Sequence, residues 1–378
     1  MLTSSRINDM QISAKHALKL AIGAAALVGA AQANAFTAFQ TSGLQSDELI
    51  IKGRVAYEYD WNKSGKNHDD HDDAGSRTAI KYTHHFNEDF AVLGTTEWGY
   101  NPFFRHGSDT RRNKLDYYKR LQFAGVSYKG IGTLTYGKQA SVYSMVTDAT
   151  DQYWVFGAAA DGKTGLKHLV GADRPDNSLK YQNAFGDVTV GLMFGGNDHD
   201  YDDDGSRLTR RHFDQAAVNW QVAPDVTIGT AYNHAAMKDD ASDENFNVEQ
   251  YVVGATWTPG NWTLGVLAGQ YHNELAGNYT SARGYETFTQ YAFKDLVSFG
   301  DVSLYGGLNR LEDRNSPARS SSYIVGTALK THKGFGANDR FIVALEHVFN
   351  DNKNSSGRDL DAEGKNLDAT SLLVRYNY

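Results

Sequence analysis

The C-terminal stretch LDATSLLVRYNY, residues 367–378, alternates apolar and polar positions up to its last residue. Successive side chains of a β-strand point to opposite sides of the sheet, so this stretch predicts a strand with two different faces. One face carries Leu372, Val374, Tyr376 and Tyr378. The other face carries Ser371, Leu373, Arg375 and Asn377. Taken alone, the stretch fits the last strand of a soluble β-sandwich as well as a strand of a membrane barrel.

Composition narrows the class of protein. The 378 residues are enough for two ordinary domains or for one large β-barrel. The low mean hydropathy excludes a helical membrane protein, and the absence of cysteine excludes disulfides and thiolate metal sites. The formal net charge of −8, with basic residues dispersed along the chain, excludes nucleic acid as a partner.

The N-terminal residues resemble a secretory signal. Lys15 and Lys19 precede an apolar run, residues 20–31, and Ala33 and Ala35 flank Asn34 as in a small-x-small cleavage site. The run is too short to anchor the chain in a bilayer, and a buried alanine-rich helix is the alternative. We therefore expect residues 1–35 to be a signal peptide and residues 36–378 to be the exported protein.

Two-faced segments recur through the rest of the chain. In LIIKGRVAYEYDW, residues 49–61, one face carries Ile51, Gly53, Val55, Tyr57 and Tyr59. The opposite face carries Lys52, Arg54, Ala56, Glu58 and Asp60. About sixteen such segments occur, each roughly as long as a tilted strand that crosses a membrane. None of them has a convincing helical period.

The links between these segments alternate between short turns and long polar loops. Short turns on one side and long loops on the other are typical of an up-and-down barrel in an outer membrane. All five prolines fall in the links, as a closed sheet requires, because every strand N–H is needed for pairing. No linker divides the chain into two sandwiches, and the polar face is too rich in charge for ordinary solvated surface. The sequence therefore predicts an all-β transmembrane antiparallel barrel of about 16 strands.

One link, residues 141–176, is much longer than a loop without a function usually is. It contains the apolar residues Trp154, Val155, Phe156, Leu166 and Leu169, which need a surface to pack against. A polar lumen provides room for this segment, so we expect it to fold inward.

The chain resembles the trimeric general-diffusion porins of Gram-negative bacteria in two stretches. These are RLQFAGVSYKGIGTLTYGKQASVY, residues 120–143, and TDQYWVFGAA, residues 150–159. The resemblance implies a homotrimer in the outer membrane, in contact with lipid and lipopolysaccharide. It also implies passive passage of ions and small hydrophilic solutes, with no chemistry and no cofactor. In the family the C-terminal aromatic strand is an assembly signal, which here corresponds to Tyr376 and Tyr378.

The resemblance also implies a pore constriction, where acidic groups of the inward-folded third loop face basic residues of the wall. The wall residues that match are Arg54, Arg77, Arg120 and Arg174. On the loop, Asp151 matches the acidic residue of the motif, and Asp148 and Asp161 are candidates to supply further charge. The chain departs from the family pattern at three positions, where Trp154 replaces a proline, Val155 a glutamate and Gln182 an arginine.

Two alternative functions stay open at this stage. Tyr153 and Trp154 stand where the family has no aromatic pair, and aromatic faces stack on sugar rings, so a substrate-selective oligosaccharide porin of the same fold is the first alternative. The same two residues could instead attach the loop to the wall. A barrel with hydrolase or adhesin activity is the second alternative, but no Ser-His constellation can be placed for it.

Two acidic stretches, residues 67–73 and 197–205, resemble metal-binding loops. In the second stretch the position of the distal acidic ligand of a calcium loop is occupied by Arg211. We therefore interpret both stretches as solvated extracellular loops and predict no metal site. Weak divalent bridging to lipopolysaccharide phosphates is the functional alternative.

Overall fold

The computed structural model describes residues 35–43, 45–62, 70–102, 117–163, 166–201, 207–274, 279–336, 338–360 and 368–378. The predicted signal peptide lies almost entirely outside these ranges and stays a prediction. Within the described residues, no helix has both the length and the apolar character needed to cross a bilayer.

The described residues form nineteen strands and one short helix. The strands are β1 Ala35–Gln40, β2 Ser46–Asn62, β3 Asp70–Asp73, β4 Arg77–His85, β5 Phe90–Tyr100, β6 Tyr117–Tyr128, β7 Gly132–Lys138, β8 Ser178–Phe185, β9 Val188–Gly195, β10 Asp198–Tyr201, β11 Arg207–Ala223, β12 Val226–Asp239, β13 Asn245–Trp257, β14 Trp262–Glu274, β15 Tyr279–Val297, β16 Gly300–Asp313, β17 Arg319–Thr331, β18 Arg340–Asn350 and β19 Ala369–Asn377. The helix, α1, spans Ser144–Thr147.

Sixteen of these strands close into one antiparallel barrel, as predicted. Each strand pairs with its neighbours in the chain, and β19 closes the ring by pairing with β2. At the seam, Gly53 and Tyr378 exchange two backbone hydrogen bonds of 2.8 and 3.0 Å. Closure leaves no free sheet edge, which satisfies every strand N–H and C=O without water.

The other three strands are in-line extensions of barrel strands. β3 continues β4 along β2, and β10 continues β9 along β11. β1 pairs with the part of β2 that β19 does not reach. Several strands are also longer than predicted, such as the 19-residue β15, because they continue past the thickness of the bilayer.

The links agree with the predicted topology. Most described connections at one end of the barrel are tight, such as residues 129–131, 186–187 and 224–225. All five prolines lie outside the strands. The strand ends that the long connections join, such as Tyr100 and Tyr117, lie at the opposite end, which in outer-membrane barrels is the extracellular end.

The two faces of the strands differ as expected. In β19 the odd-numbered positions from Ser371 to Asn377 are buried, and the even-numbered positions, including Val374, are more exposed. Outward positions along the barrel are apolar and exposed, for example Val266, Leu304 and Val325. The buried inward positions include polar residues such as Gln250 and Asn309. This is the inside-out pattern of a barrel in lipid.

The long link between β7 and β8 folds into the lumen as the third loop, as predicted. Its helix α1 was not predicted, because a single turn of four residues is too short to produce a helical period. α1 packs against β11, β12 and β13, and Val142, Tyr143 and Val146 join a buried apolar cluster with that wall. The core of the molecule is therefore the contact between the loop and one side of the barrel.

Candidate pore constriction

Two buried glutamates of the wall hold the backbone of the third loop. Glu346 accepts hydrogen bonds from three consecutive loop N–H groups, those of Trp154 at 2.6 Å, Val155 at 3.1 Å and Phe156 at 2.8 Å. The hydroxyl of Tyr305 donates a fourth bond, of 2.9 Å. A carboxylate that is fully buried is tolerated only with such a set of donors.

Glu286 also holds the third loop, at one position before and one position after the segment bound by Glu346. Its carboxylate accepts hydrogen bonds from the Ala160 N–H at 2.6 Å and from the Thr150 hydroxyl at 2.5 Å. The glycines Gly265 and Gly284 bring the loop close to this wall. A Cβ atom at either position would lie 1.9 Å from a loop carbonyl oxygen, so any side chain there would displace the loop.

The aromatic pair Tyr153 and Trp154 packs against the wall. The Tyr153 hydroxyl donates to the carbonyl oxygen of Thr287 at 2.7 Å, and its ring meets Phe288 edge-on. The guanidinium of Arg375 lies over the Trp154 ring, 4.5 Å from its centroid. These contacts attach the loop to the wall and occupy one face of the indole. The use of the pair for sugar stacking stays a prediction.

The three predicted loop aspartates converge on one ammonium group, that of Lys163. Its Nζ lies 3.0 Å from Asp151, 3.2 Å from Asp161 and 3.7 Å from Asp148. Lys163 and Asp161 are both buried. Lys163 has no signature in the sequence, because a single lysine in a loop rich in polar residues is normally solvated.

Burial sets the ionisation of this cluster. It raises the pKa of Asp148 to about 7, against the lowering effect of the Lys163 ammonium. Burial also raises the pKa of Asp161. For Lys163 burial acts to lower the pKa, but the three carboxylates outweigh it and hold the pKa well above its ordinary value. Lys163 therefore stays charged.

The predicted wall arginines gather around one carboxylate, that of Glu97 on β5. Arg120 Nε lies 2.8 Å from Glu97 Oε1, and Arg77 Nε lies 3.8 Å from the same atom. Arg54 donates to the carbonyl oxygens of Gly75 and Ala74, at 2.9 and 3.2 Å.

Arg174 binds its neighbour Asp173 in bidentate fashion, with both contacts at 3.1 Å, and stays within electrostatic range of Arg120. Lys52, Lys81 and Arg375 lie in the same electrostatic neighbourhood. The basic wall thus has seven cationic side chains against the two carboxylates of Glu97 and Asp173. Further along β2, Glu58 lies beside Asp60 and Glu346.

One cavity of about 410 Å³ is lined by residues of the third loop. Asp151 and Lys163 border it from the middle of the loop, and Asp173 and Arg174 border it from the end of the loop that leads into β8. The structure thus brings Asp151 and Arg174 to the same space. Asp148 and Asp161 do not line this cavity and form ion pairs with Lys163. Arg54, Arg77 and Arg120 lie near one another on the strands of the wall.

The predicted assembly residues lie at the seam of the barrel. The hydroxyl of Tyr378 is 2.5 Å from that of Thr78, and Tyr376 donates to Asp339. The Tyr376 ring also contacts Phe335 and Phe341. These contacts fix the terminal strand, and their role as an assembly signal stays a prediction. Of the two acidic stretches, residues 67–69 and 202–205 lie outside the described residues.

A closed barrel with an apolar outer surface and a charged lumen narrowed by a loop defines a membrane channel. The sequence pattern of the family described as Gram-negative porin matches residues 20–334. The chain belongs to this family. It is located in the outer membrane and forms a water-filled channel for passive diffusion of ions and small hydrophilic solutes.

Known proteins agree with this assignment. The chain is 26% identical to outer membrane porin F of Xenorhabdus nematophila over 301 residues, which cover 73% of this chain and 78% of the relative. The solved structure of Salmonella typhi OmpF in complex with daunomycin has the same fold, with a TM-score of 0.64 and 16% identity over 88% of this chain and 98% of that one. The trimer form of in-vitro folded OmpT from Vibrio cholerae gives 0.60 and 14%, over 88% and 99%.

Proposed function

We propose that this porin prefers anions, and that its narrowest part lies between the third loop and the wall that carries Arg54, Arg77, Arg120 and Arg174. The observation that carries the proposal is the unequal pairing of charge. The basic wall has seven cations for two carboxylates, whereas the loop aspartates are drawn together around Lys163. The space between them therefore has a positive potential.

The physical basis is local electrostatics in a narrow aqueous gap with low-dielectric walls. Such a gap concentrates field lines, so a passing ion responds to the nearest uncompensated charges rather than to the net charge of the protein. The net charge of −8 is distributed over the whole chain and does not set the sign of the field in the lumen. Opposed charges across the gap also orient dipolar solutes and oppose the passage of apolar ones.

The test is the reversal potential of purified protein in a planar bilayer under a potassium chloride gradient. Potassium and chloride have similar mobilities, so the sign of the potential reports the preference of the pore. At low salt we expect a reversal potential with the sign of a chloride-selective pore. At 1 M salt the preference for chloride should be smaller, because the Debye length falls to about 3 Å. A potential of the potassium sign would refute the proposal.

We further infer that the protein acts as a homotrimer without catalytic activity, and that lipid and lipopolysaccharide surround its outward face. The trimer form of OmpT and the exposed apolar residues of the barrel support this inference. Tyr376 and Tyr378 would form the assembly signal. Conductance that closes in three equal steps would support the trimer, and normal heat-resistant oligomer after Tyr378→Ser would contradict the assembly role.

A further inference from the structure

We propose that His212, Asp214 and His234 form a binding site for a transition-metal ion of the zinc class on the outer surface of the barrel. The potential ligand atoms of the three side chains all lie within 4.8 Å of one another. The site is independent of the pore, because these residues point away from the lumen.

The geometry is close to that of a metal site. Asp214 Oδ1 and His234 Nδ1 are 3.0 Å apart, and two ligands of a tetrahedral ion with bonds of 2.0–2.1 Å are separated by about 3.3 Å. The centroids of the His212 and His234 rings are 5.9 Å apart. His212 is exposed, so a rotation of its side chain can bring the third nitrogen into the coordination sphere.

A β-bulge lies directly beside this arrangement. Asp214 and His234 are directly opposite each other in the β11–β12 ladder, and the register shifts between Arg210 and His212. The extra residue reverses the alternation of β11 at this point. Arg210 is buried on the lumen side, whereas His212 shares the outward face with Asp214. Bulges often re-aim a side chain in this way at functional positions.

The surroundings favour a cation. Asp214 has His234 as its ion-pair partner among the described residues, with no lysine or arginine in contact with it. Glu249 lies directly across from His234 on β13 and adds a second negative charge. The three proposed ligands lie on the long-loop side of the neighbouring pair Tyr232 and Tyr251, whose ring centroids are 4.6 Å apart. That level corresponds to the head-group region, where water and ions have access.

A second group, Asp295, Asp301 and His332, also has its ligand atoms within 4.8 Å of one another. In this group, however, a lysine contacts one of the carboxylates. The ammonium of Lys294 lies 3.0 Å from Asp301, where it already supplies positive charge and repels a metal ion. This group therefore provides a matched control within the same chain.

The donor atoms indicate the class of metal. Two imidazoles and one carboxylate suit Zn²⁺, Cu²⁺ or Ni²⁺, whereas Ca²⁺ and Mg²⁺ take mostly oxygen ligands. Three protein ligands leave one tetrahedral position open for water or for an anionic oxygen.

The experiment uses folded, untagged full-length protein in detergent, titrated with zinc chloride by calorimetry and with Co²⁺ by visible absorption. We expect a saturable zinc site and the absorption bands of tetrahedral Co²⁺. His234→Ala and Asp214→Asn each remove a proposed ligand and should weaken binding by more than the roughly 10- to 100-fold that loss of an outer-shell partner costs. His332→Ala should leave the affinity unchanged.

Two outcomes would overturn the proposal: no saturable zinc binding by the wild type, or equal binding by wild type, His234→Ala and Asp214→Asn. Heat-resistant oligomer on a gel and unchanged single-channel conductance would establish that each variant is folded. A result in which only His332→Ala loses the site would also refute the assignment. The reversal potential is unaffected by any of these variants, so the outcome does not depend on the proposed ion preference.

Discussion

The basic wall and the third loop have opposite electrostatic designs. On the wall, one carboxylate, Glu97, is surrounded by arginines. In the loop, one ammonium, Lys163, is surrounded by three aspartates. The wall is left with an excess of positive charge that faces the lumen. In the loop cluster one cation stands among three carboxylates, and the raised pKa values of Asp148 and Asp161 reduce the negative charge around it.

The two clusters show that charged residues have two different roles in one channel. Buried charges that satisfy one another define a conformation, and charges that outnumber their partners define a field that mobile ions respond to. Lys163 and the aspartates around it belong to the first kind. Arg77 and Arg120, which share a single carboxylate, belong to the second kind.

The largest effect should follow from Lys163→Met. The change leaves three carboxylates, one of them fully buried, without their cation, and breaking such a pair costs roughly 3–5 kcal/mol. We expect the third loop to loosen, with noisy single-channel currents and faster cleavage of the loop by protease. Lys167→Met is the matched control, because Lys167 is more exposed and lies 3.7 Å from Asp173. Identical currents in both variants would contradict the structural role of Lys163.

The next effect concerns selectivity, through Arg120→Ala and Asp151→Asn. Loss of a wall charge should shift the reversal potential toward cations, and loss of the loop charge should shift it toward anions. A unit charge about 4 Å from an ion in water is worth about 1 kcal/mol, roughly a fivefold change in permeability ratio, for Arg120. The shift for Asp151 should be smaller, because Lys163 already compensates this carboxylate. Equal shifts would remove the distinction between wall and loop.

A smaller effect is expected from pH. The pKa of Asp148 is about 7, so this carboxyl is mostly charged at about pH 8 and mostly neutral at about pH 6. Acidification therefore removes negative charge from the lumen and should strengthen the anion preference. Burial and the nearby Arg174 hold the pKa of His168 at about 4, so His168 stays neutral over this range. Asp148→Asn should reduce the pH dependence, and a variant that retains it in full would place the titrating group elsewhere.

The smallest effect should come from Tyr153→Phe, which removes one hydrogen bond from the attachment of the loop. The expected loss of stability is about 1 kcal/mol, with no change in reversal potential. Thermal unfolding of the detergent-solubilised protein measures it, and Tyr285→Phe on the outward face is the control. A large shift in ion preference would mean that Tyr153 shapes the ion path itself.

The fold could be predicted because its signal is local. A two-residue period, short turns and the placement of prolines all belong to neighbouring positions, as in residues 371–378. The partners within the constriction could not be predicted in this way. Trp154 and Glu346 are separated by 192 positions, and Thr150 and Glu286 by 136. Only the closed barrel brings these residues together, so the glutamates that hold the loop have no sequence signature.

The resemblance to porins predicted the four wall arginines and Asp151 as constriction residues, but it did not indicate how they pair. Lys163 and Glu97 decide that pairing, and each is a single charged residue among many. The bulge at His212 was equally invisible, because one extra residue in a strand changes only the alternation beyond it. Local patterns thus predicted the placement of the strands and not the charge balance within them.

The seam between β2 and β19 has a consequence for biogenesis. β2 lies near the start of the described chain, and the strand that covers one of its edges is the last one described. Any intermediate that lacks β19 therefore exposes unpaired N–H and C=O groups along residues 54–62. Exposed strand edges pair readily with other chains, so the polypeptide must cross the periplasm without forming its sheet. Completion of the barrel and insertion into lipid are thereby coupled in time to the arrival of the final strand.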